Sequence, residues 1–348
     1  MAVTVHGRWM ALLLTSSVCL AGPSPQPYIW HLPRGFPTPA IPPDNPMSDS
    51  KVALGRRLFF DPRLSVTGRY SCASCHDPAL SFSDGRPVAL GARGDALPRN
   101  AMALVNVAYN ISFGWTKPHL RSLEAQMREP LLNSHPVELG LAGREESITA
   151  QLAIDPAYAA AFAAAFPEDP TLPVTFDHLV NAVAAFERTL ISGESPFDRY
   201  VFQGDHAALS ESAKRGMALF FSPKAGCSAC HSGFNFTGTW RDSHGETGKP
   251  AFAINGVTAQ PMRVPTLRNI ALSGPYMHDG RFFTLERVVN HYFSLGPRAI
   301  RYDRRLPRTT LDMQQKADLV AFLRSLTDED FVRRYAATAA APASNSSP

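Results

Sequence analysis

The sequence lacks the features that mark several common classes of protein. Over 348 residues the formal net charge is only +4, and no basic stretch is interleaved with aromatic residues, so we expect no nucleic-acid partner. The apolar run near the N-terminus, Trp9 to Leu14, is too short to cross a bilayer, and we expect no transmembrane span. Alternating patterns typical of β-strands are scarce, whereas 45% of the residues are hydrophobic. The sequence therefore predicts a packed all-α fold, long enough for two domains.

The N-terminus has the layout of a cleavable signal peptide, predicted over residues 1–21. A basic residue precedes the apolar run, and small residues follow it up to Ala21. Such a segment predicts export and a periplasmic protein. A lipoprotein anchored through Cys19 is an alternative that Val18 disfavours, and a buried first helix is disfavoured by the prolines that begin at Pro23.

Cysteine is also rare, and the four cysteines beyond the predicted signal peptide form two pairs about 155 positions apart. Each pair has the spacing C-x-x-C and is followed at once by a histidine. In this motif the thiols form thioethers with a haem, and the histidine becomes the proximal iron ligand. A redox C-x-x-C pair needs no such histidine, and a zinc site would bring the four cysteines together. The sequence therefore predicts two covalent haem c groups, held by Cys72, Cys75 and His76 and by Cys227, Cys230 and His231.

The residues before the two haem motifs form an internal repeat. KVALGRRLFFDPRLS at 51–65 and SAKRGMALFFSPKAG at 212–226 both predict an amphipathic helix and a turn with proline, followed by the motif. The repeat predicts two related c-type cytochrome domains, each with one haem, and a boundary near 204–210. We expect an N-terminal domain at 22–205, a C-terminal domain at 206–335 and a disordered tail at 336–348.

Hydrophobic periodicity predicts further helices, joined by long irregular loops. The 30 prolines and 23 glycines are expected where a haem, rather than a large protein core, organises the fold. The predicted helices are Ser122 to Arg128, Ser147 to Ile154, Ala157 to Phe166, Phe176 to Ser192, Leu285 to Phe293 and Leu311 to Leu326.

The order of the motifs resembles the bacterial di-haem cytochrome c peroxidase and MauG superfamily. SCASCH is followed by PRN at 98–100, VPTLRN at 264–269 and PYMHDGRFFTLE at 275–286, and the resemblance runs from about residue 45 to 330. The segments RGFPTPAIPPDNPMSDSKVALGRRLFFDPRLS and PRNAMALVNVAYN are most similar to the MbnH-type di-haem enzymes of that superfamily.

The resemblance implies that the N-terminal haem, on His76, is the peroxide site. Many di-haem peroxidases place a distal histidine just before the PRN segment and must release it to become active. Here that stretch, 92–95, has no histidine, and none occurs between His76 and His119. We therefore expect a first haem with an open distal side, the alternative being a ligand that swings in from His119 or His135.

Cleavage of peroxide needs a base that moves a proton from the near to the far oxygen. The resemblance implies a glutamate in a loop that follows a glutamine, and the matching residues are Glu138 in HPVELGL and Gln126 in EAQMREP. The loop between them carries two extra residues here, and His135 within it competes for the role of base.

The second axial ligand of the C-terminal haem is expected to decide its potential. In the family a methionine lies fourteen residues beyond the histidine of the PYxHDG segment, and MauG-like enzymes have a tyrosine there; the count from His278 reaches Tyr292. A phenolate ligand stabilises oxidised iron and lowers the potential. The alternatives for this ligand are Met262, Met277 and His291.

Two further elements follow from the resemblance alone. Trp115 matches the tryptophan that lies between the haems in the family, where an indole relays charge. A calcium ion is implied between the domains, bound by the side-chain oxygen of Asn100 and the carbonyl groups of Ser273 and Pro275, since oxygen ligands suit calcium.

We therefore expect an enzyme that uses hydrogen peroxide to form a high-valent di-haem state, as MauG and MbnH do. Its substrate would be a tryptophan, converted to kynurenine, on a periplasmic partner similar to MbnP. The alternative is a cytochrome c peroxidase that receives electrons from a small cytochrome or cupredoxin. A non-catalytic electron carrier is disfavoured by the open first haem. A basic loop with arginines from Arg298 to Arg308 is expected either to neutralise haem propionates or to dock an acidic partner.

Overall fold

A computed structural model describes residues 1, 28–247, 252–254, 261–294 and 309–339 of the chain. Three of the sequence-based predictions fall wholly or mostly outside these residues. They are the signal peptide beyond Met1, the arginine loop at 298–308, and the predicted tail from residue 340 onward.

The described part of the chain is mostly helical, and ten α-helices form most of its regular structure. Short 3₁₀ helices lie between them, at Pro62–Leu64, Cys72–Ser74, Pro78–Leu80, Val107–Tyr109 and Cys227–Ala229. The α-helices are α1 Asp49–Phe59, α2 Leu123–Leu132, α3 Glu145–Ile154, α4 Pro156–Ala165, α5 Phe176–Arg188, α6 Pro196–Phe202, α7 Glu211–Phe221, α8 Leu285–Ser294, α9 Met313–Arg324 and α10 Glu329–Ala339.

The prediction of a purely all-α fold is wrong in one respect, because two small antiparallel sheets are present. β1 (Trp240–Asp242) pairs with β2 (Gly245–Thr247), and β3 (Phe252–Ile254) pairs with β4 (Pro261–Arg263). Each strand has three residues. A strand this short contains too few residues for an alternating pattern to stand out in a sequence.

Local capping explains where the predicted helices begin. The side chains of Ser48, Ser122 and Thr175 each accept a hydrogen bond from a backbone N–H of the first turn of α1, α2 and α5. Asp312 does the same for α9 within a capping box. The predicted helices lie where the structure has them, although α5 ends at Arg188 rather than at 192 and α2 continues to Leu132 rather than ending at Arg128.

Helices α6 and α10 were not predicted. α6 is short and begins with Pro196 in a segment whose composition is typical of a turn. α10 continues to Ala339, so the first four residues of the predicted disordered tail, 336–339, are helical. The tail prediction is wrong for these residues because the amphipathic helix begun at Glu329 has no breaker before 339.

The described residues form two main hydrophobic cores. The first core contains α1 and α5 and is formed mostly by residues of the first half of the chain. The second core contains α7 and α9. Phe331 of α10 is buried in the first core, where its ring lies 6.0 Å from that of Phe82. The predicted domain limits stay a prediction, but α10 packs on the first core although most of it lies within the predicted C-terminal domain at 206–335.

The internal repeat extends into the packing of the two helix pairs. A Cβ atom added at Gly55 of α1 would lie 1.8 Å from the carbonyl oxygen of Ala182 in α5. The equivalent atom at Gly216 of α7 would lie 1.9 Å from the carbonyl oxygen of Asp318 in α9. Both helix pairs therefore cross at a glycine three residues before the Leu-Phe-Phe end of the first helix.

None of the helices in the described ranges combines the length and the apolar character needed to cross a membrane.

Candidate functional site

The two C-x-x-C-H motifs fold in the same way. In each, the first three residues form a 3₁₀ turn, Cys72–Ser74 or Cys227–Ala229. The backbone N–H of the histidine donates to the carbonyl of the first cysteine, over 3.0 Å in the first motif and 2.9 Å in the second. This turn brings two sulfurs and an imidazole together, as the attachment of a flat macrocycle requires.

Both histidine rings are oriented by a backbone carbonyl. His76 Nδ1 lies 2.9 Å from the oxygen of Phe82, and His231 Nδ1 lies 2.9 Å from the oxygen of Phe236. A carbonyl only accepts, so Nδ1 is the donor and Nε2 keeps its lone pair for iron. Burial lowers the pKa of both imidazoles and favours the neutral form that binds a metal.

A cavity of about 390 Å³ lies beside the second motif. Cys227, Cys230, His231 and Tyr292 all line it, so the structure brings the predicted attachment residues and the predicted axial ligand together. Its volume is within the range found for cofactor-binding sites in proteins. Asn100, Met102, Trp115, Arg263, Ser273 and Pro275 also line it.

Tyr292 is held on α8 against the second haem motif. Burial raises the pKa of its phenol to about 12, and the thiols of Cys230 and Cys227 contribute to the rise. The phenol therefore keeps its proton in the protein alone, and an iron ligand would form only if the metal displaces that proton. The neighbouring His291 packs its ring 5.0 Å from that of Phe282.

The choice of Tyr292 as ligand stays a prediction. Met262, Met277 and His291, the alternatives, also line the cavity. Tyr292 is favoured over these three because its phenol lies close enough to both attachment cysteines for their thiols to raise its pKa.

Glu138 lies close to the first motif. Burial, followed by the charges of Asp84 and Glu138, raises the pKa of the Cys75 thiol to about 11. Burial also raises the pKa of the Glu138 carboxyl, against a hydrogen bond of 3.4 Å from Asn133 Nδ2. A partly buried acid with a raised pKa near a predicted attachment residue has the properties expected of a group that transfers protons.

The loop that carries Glu138 is fixed by its backbone. The N–H of Ala92 donates to the Glu138 carbonyl over 2.7 Å, and the N–H of Leu139 donates to the Pro130 carbonyl of α2 over 2.8 Å. Ala92 begins the stretch in which related peroxidases carry a distal histidine. Glu138 therefore lies against that stretch, whereas Gln126 is partly buried farther back on α2.

The competing histidines point elsewhere. His119 and His135 are both exposed, and His135 Nδ1 lies 3.2 Å from the neighbouring hydroxyl of Ser134. Neither ring lies in the interior near Cys75 in this conformation. The roles of Glu138 and Gln126 remain predictions, with the geometry favouring Glu138 over His135 as the base.

Met102 lies near residues of both sites. The backbone of Met102 lies near enough to the ring of His76 to affect its pKa, and the Met102 sulfur accepts from Arg263 Nη2 over 3.1 Å in the wall of the second cavity. Trp115 Nε1 donates to the Asn100 carbonyl over 2.9 Å. Trp115 thus lies in the wall of the second cavity and is bonded to Asn100, two residues before Met102 in the chain.

The predicted calcium ligands also come together. Asn100, Ser273 and Pro275 line the same cavity. Asn100 Nδ2 donates to the Arg86 carbonyl over 2.6 Å, so Oδ1 is the amide atom that a cation would use. Within the described ranges no group of three or more histidine, cysteine or acidic residues is suited to a metal ion. A site of amide and carbonyl oxygens would be of a different kind, one that suits calcium.

Arg263 was missed by the sequence analysis. Its side chain lines the second cavity, and its Nε has neither accessible surface nor a hydrogen-bond partner. Its place directly before the VPTLRN segment was the only signal, because one arginine among the 34 basic residues of the chain carries no mark of burial in a sequence.

Comparisons with known proteins identify the family of the chain. Residues 49–207 match the model of the family described as di-haem cytochrome c peroxidase. The methylamine utilization protein MauG of Methylorubrum extorquens is 40% identical over 304 residues, which cover 85% of this chain and 83% of that protein. Cytochrome c551 peroxidase of Pseudomonas aeruginosa is 34% identical over 70% of this chain and 72% of its own.

A solved structure has a similar fold. The crystal structure of a MauG-like protein associated with microbial copper homeostasis is 37% identical in sequence and superposes with a TM-score of 0.81. The match covers 88% of this chain and 97% of that one. The predicted resemblance to the MauG superfamily is therefore confirmed.

Proposed function

The chain belongs to the family of di-haem cytochrome c peroxidases, and we propose that it is a MauG-like member that uses hydrogen peroxide to oxidise a tryptophan of a partner protein. The family makes it a haem oxidoreductase and implies two haem c groups. The observation that supports the finer proposal is Tyr292, which lines the second cavity together with the attachment cysteines.

The residues of both sites fit a haem. We assign attachment of the first haem to Cys72, Cys75 and His76, and the orienting carbonyl of Phe82 prepares the histidine for iron. The second haem would occupy the cavity between His231 and Tyr292 in the same way. When bound, the two haems supply the reduction of peroxide and hold the oxidising equivalents until they are passed on.

Glu138 handles the proton at the first site. Its carboxylate takes the proton from the near oxygen of peroxide and returns it to the far oxygen, which then leaves as water. The raised pKa brings the carboxyl nearer to the working pH, where such a transfer is most effective. Gln126 is proposed to position the peroxide from α2.

Trp115 is proposed to relay charge between the sites. It lines the second cavity and is fixed by its hydrogen bond to Asn100, whose segment reaches His76 through Met102. The substrate protein would then be oxidised at the surface without entering the enzyme. A calcium ion bound by Asn100, Ser273 and Pro275 would rigidify this same region.

The overall reaction balances with peroxide alone. Opening the indole C2–C3 bond of a tryptophan removes four electrons and adds two oxygen atoms. Water supplies those two oxygen atoms, and four protons leave with the four electrons. Two molecules of hydrogen peroxide accept these electrons and protons and yield four molecules of water, two of which replace the water consumed. Hydrolysis of the formyl group then leaves kynurenine and releases formate.

We also propose that the protein works in the periplasm and acts there on an MbnP-like partner. The MauG-like structural neighbour is associated with microbial copper homeostasis, which favours this partner over the substrate of methylamine metabolism. A cytochrome c peroxidase fed by a small cytochrome or cupredoxin is the second candidate, favoured by the two methionines, Met262 and Met277, in the cavity wall.

Mass spectrometry of a candidate partner tests the proposal. The holoenzyme and peroxide should add oxygen to one tryptophan of the partner, and omission of either should leave its mass unchanged. Fast steady-state oxidation of a reduced small cytochrome, with no mass change on any partner, would instead establish the second candidate.

A further inference from the structure

Two arginines near the second haem motif differ in how their charge is compensated. Arg268 is almost fully buried and has a complete set of partners, with Nη1 donating to both oxygens of Asp198 over 2.9 and 2.8 Å. Its Nε and Nη2 donate to the carbonyl of Phe234. Burial is therefore compensated at Arg268 within the protein itself.

Arg263 lies five residues earlier and is not compensated in this way. Its described polar side-chain contact is to a weak acceptor, the sulfur of Met102, and its Nε is buried without a partner. Over the ranges that the structure describes, no carboxylate lies within ion-pair distance of it. Burial alone lowers the pKa of its guanidinium to about 10, with no nearby anion to oppose the shift.

The position of Arg263 is set by the fold. It is the last residue of β4, and its backbone N–H donates to the Trp115 carbonyl over 2.9 Å. Its side chain lines the cavity that also contains His231 and Tyr292. A cation that loses water here without gaining a partner is costly, so the group that fills the cavity should supply an anion.

We infer that Arg263 binds a propionate carboxylate of the haem attached at Cys227 and Cys230, an inference that rests on the haem content of the proposed function. A guanidinium presents paired N–H donors that match a carboxylate. The interaction holds the haem edge against β4 and beside Trp115, and it adds a fixed positive charge next to that haem. Arg263 is therefore a positioning residue that also sets the redox potential.

Potentiometric titration of the holoprotein tests this inference. A nearby cation favours ferrous over ferric iron, so R263Q should lower the midpoint potential of the second haem. We expect the ferric-to-ferrous ratio at a fixed ambient potential to rise on the order of tenfold. R263K retains the charge and should stay within about twofold of the unmodified protein.

The dependence on pH gives an independent readout. Without the cation, the propionate should take up a proton within the accessible pH range, so R263Q should gain a pH-dependent potential that R263K lacks. M102L removes the sulfur contact without changing charge and should match the unmodified protein. If R263Q does not assemble, R263H should lose potential as its imidazole deprotonates.

Equal potentials for R263Q and the unmodified protein at every pH would overturn the inference, as would a potential of R263H that does not fall with pH relative to the unmodified protein. The titration needs haem but neither peroxide nor a partner protein. Its outcome is therefore independent of which substrate the enzyme oxidises, and absorbance of the haem reports directly whether the protein is loaded.

Discussion

At the scale of single residues, Glu138 is the side chain that we propose as the base in the cleavage of peroxide. E138Q keeps the shape but cannot accept a proton, so we expect peroxide-induced spectral changes to slow by about 10²-fold or more. Stopped-flow absorbance measures this rate, with haem spectra at rest as the check on assembly. H135A is the matched control and should change the rate little, and a larger loss in H135A would move the role of base to His135.

The dependence of the same rate on pH should have a defined direction. Burial raises the Glu138 pKa, and the carboxylate is the active form, so the rate should rise with pH through a value above 4.5. In E138Q this rise should be absent. A profile that is the same in both proteins would show that another group accepts the proton.

Glu187 of α5 supplies a prediction about stability. It is buried, its Oε2 has no hydrogen-bond partner, and burial raises its pKa to about 8. The folded protein holds a proton that the unfolded chain releases above about pH 4.5, so this group lowers stability as pH rises from about 4.5 to 8.

E187Q removes that dependence while keeping a neutral group of the same shape. We expect E187Q to be similar to the unmodified protein near pH 5 and more stable near pH 8, with a gain in unfolding free energy of at most about 1.4 kcal/mol for each pH unit between these two values. Denaturant unfolding of the holoproteins at both pH values measures the difference. Parallel pH dependences for the two proteins would show that Glu187 is ionised in the fold.

Single residues also show what a sequence conveys about a site. The attachment residues were identified from spacing, and Tyr292 from a count along a family motif, because both are local in the chain. Arg263 was missed because its surroundings include Met102 and Trp115. These residues lie far from it in the sequence and are brought next to it only by folding.

At the scale of elements, substitution of the glycines at the two helix crossings tests the packing of the helix pairs. Alanine inside an ordinary helix is more stable than glycine by about 1 kcal/mol. At Gly216 an added Cβ would instead meet Asp318 O at 1.9 Å, so α7 and α9 must separate. We expect G216A to lose about 1–3 kcal/mol of unfolding free energy, opposite in sign to the helix propensity.

Gly55 makes the same prediction for α1 and α5, and denaturant unfolding measures both variants. K214A on the same helix as Gly216 removes an exposed ion pair with Glu211, so it should leave the unfolding free energy almost unchanged. A stabilised G216A would mean that the helices do not cross as closely as described.

The sequence predicted most elements because their periodicity and caps are local. It missed the hairpins, whose strands have three residues, and α10, which is stabilised by placing Phe331 in the first core. The packing of Phe331 joins α10 to the first half of the chain, and no local pattern in the sequence predicts it.

At the scale of the whole molecule, the two C-x-x-C-H motifs fold alike, and each follows a helix that crosses another helix at a glycine. The family comparison confirms a haem oxidoreductase, and the internal repeat explains how one helix–turn–motif unit serves twice. The residues near the two motifs differ: Glu138 lies near the first motif, and Tyr292 lies near the second, where we propose it as an iron ligand. The proposed function therefore requires unequal coordination of the two irons.

Electron paramagnetic resonance of the oxidised holoprotein tests that claim most directly. We expect one high-spin ferric signal from the haem on His76 and one low-spin signal from the haem on His231 and Tyr292. Y292F should alter the low-spin signal and leave the high-spin signal in place, whereas M262L and M277L should leave both unchanged. Two low-spin signals, or a low-spin signal that is unchanged in Y292F, would contradict the account.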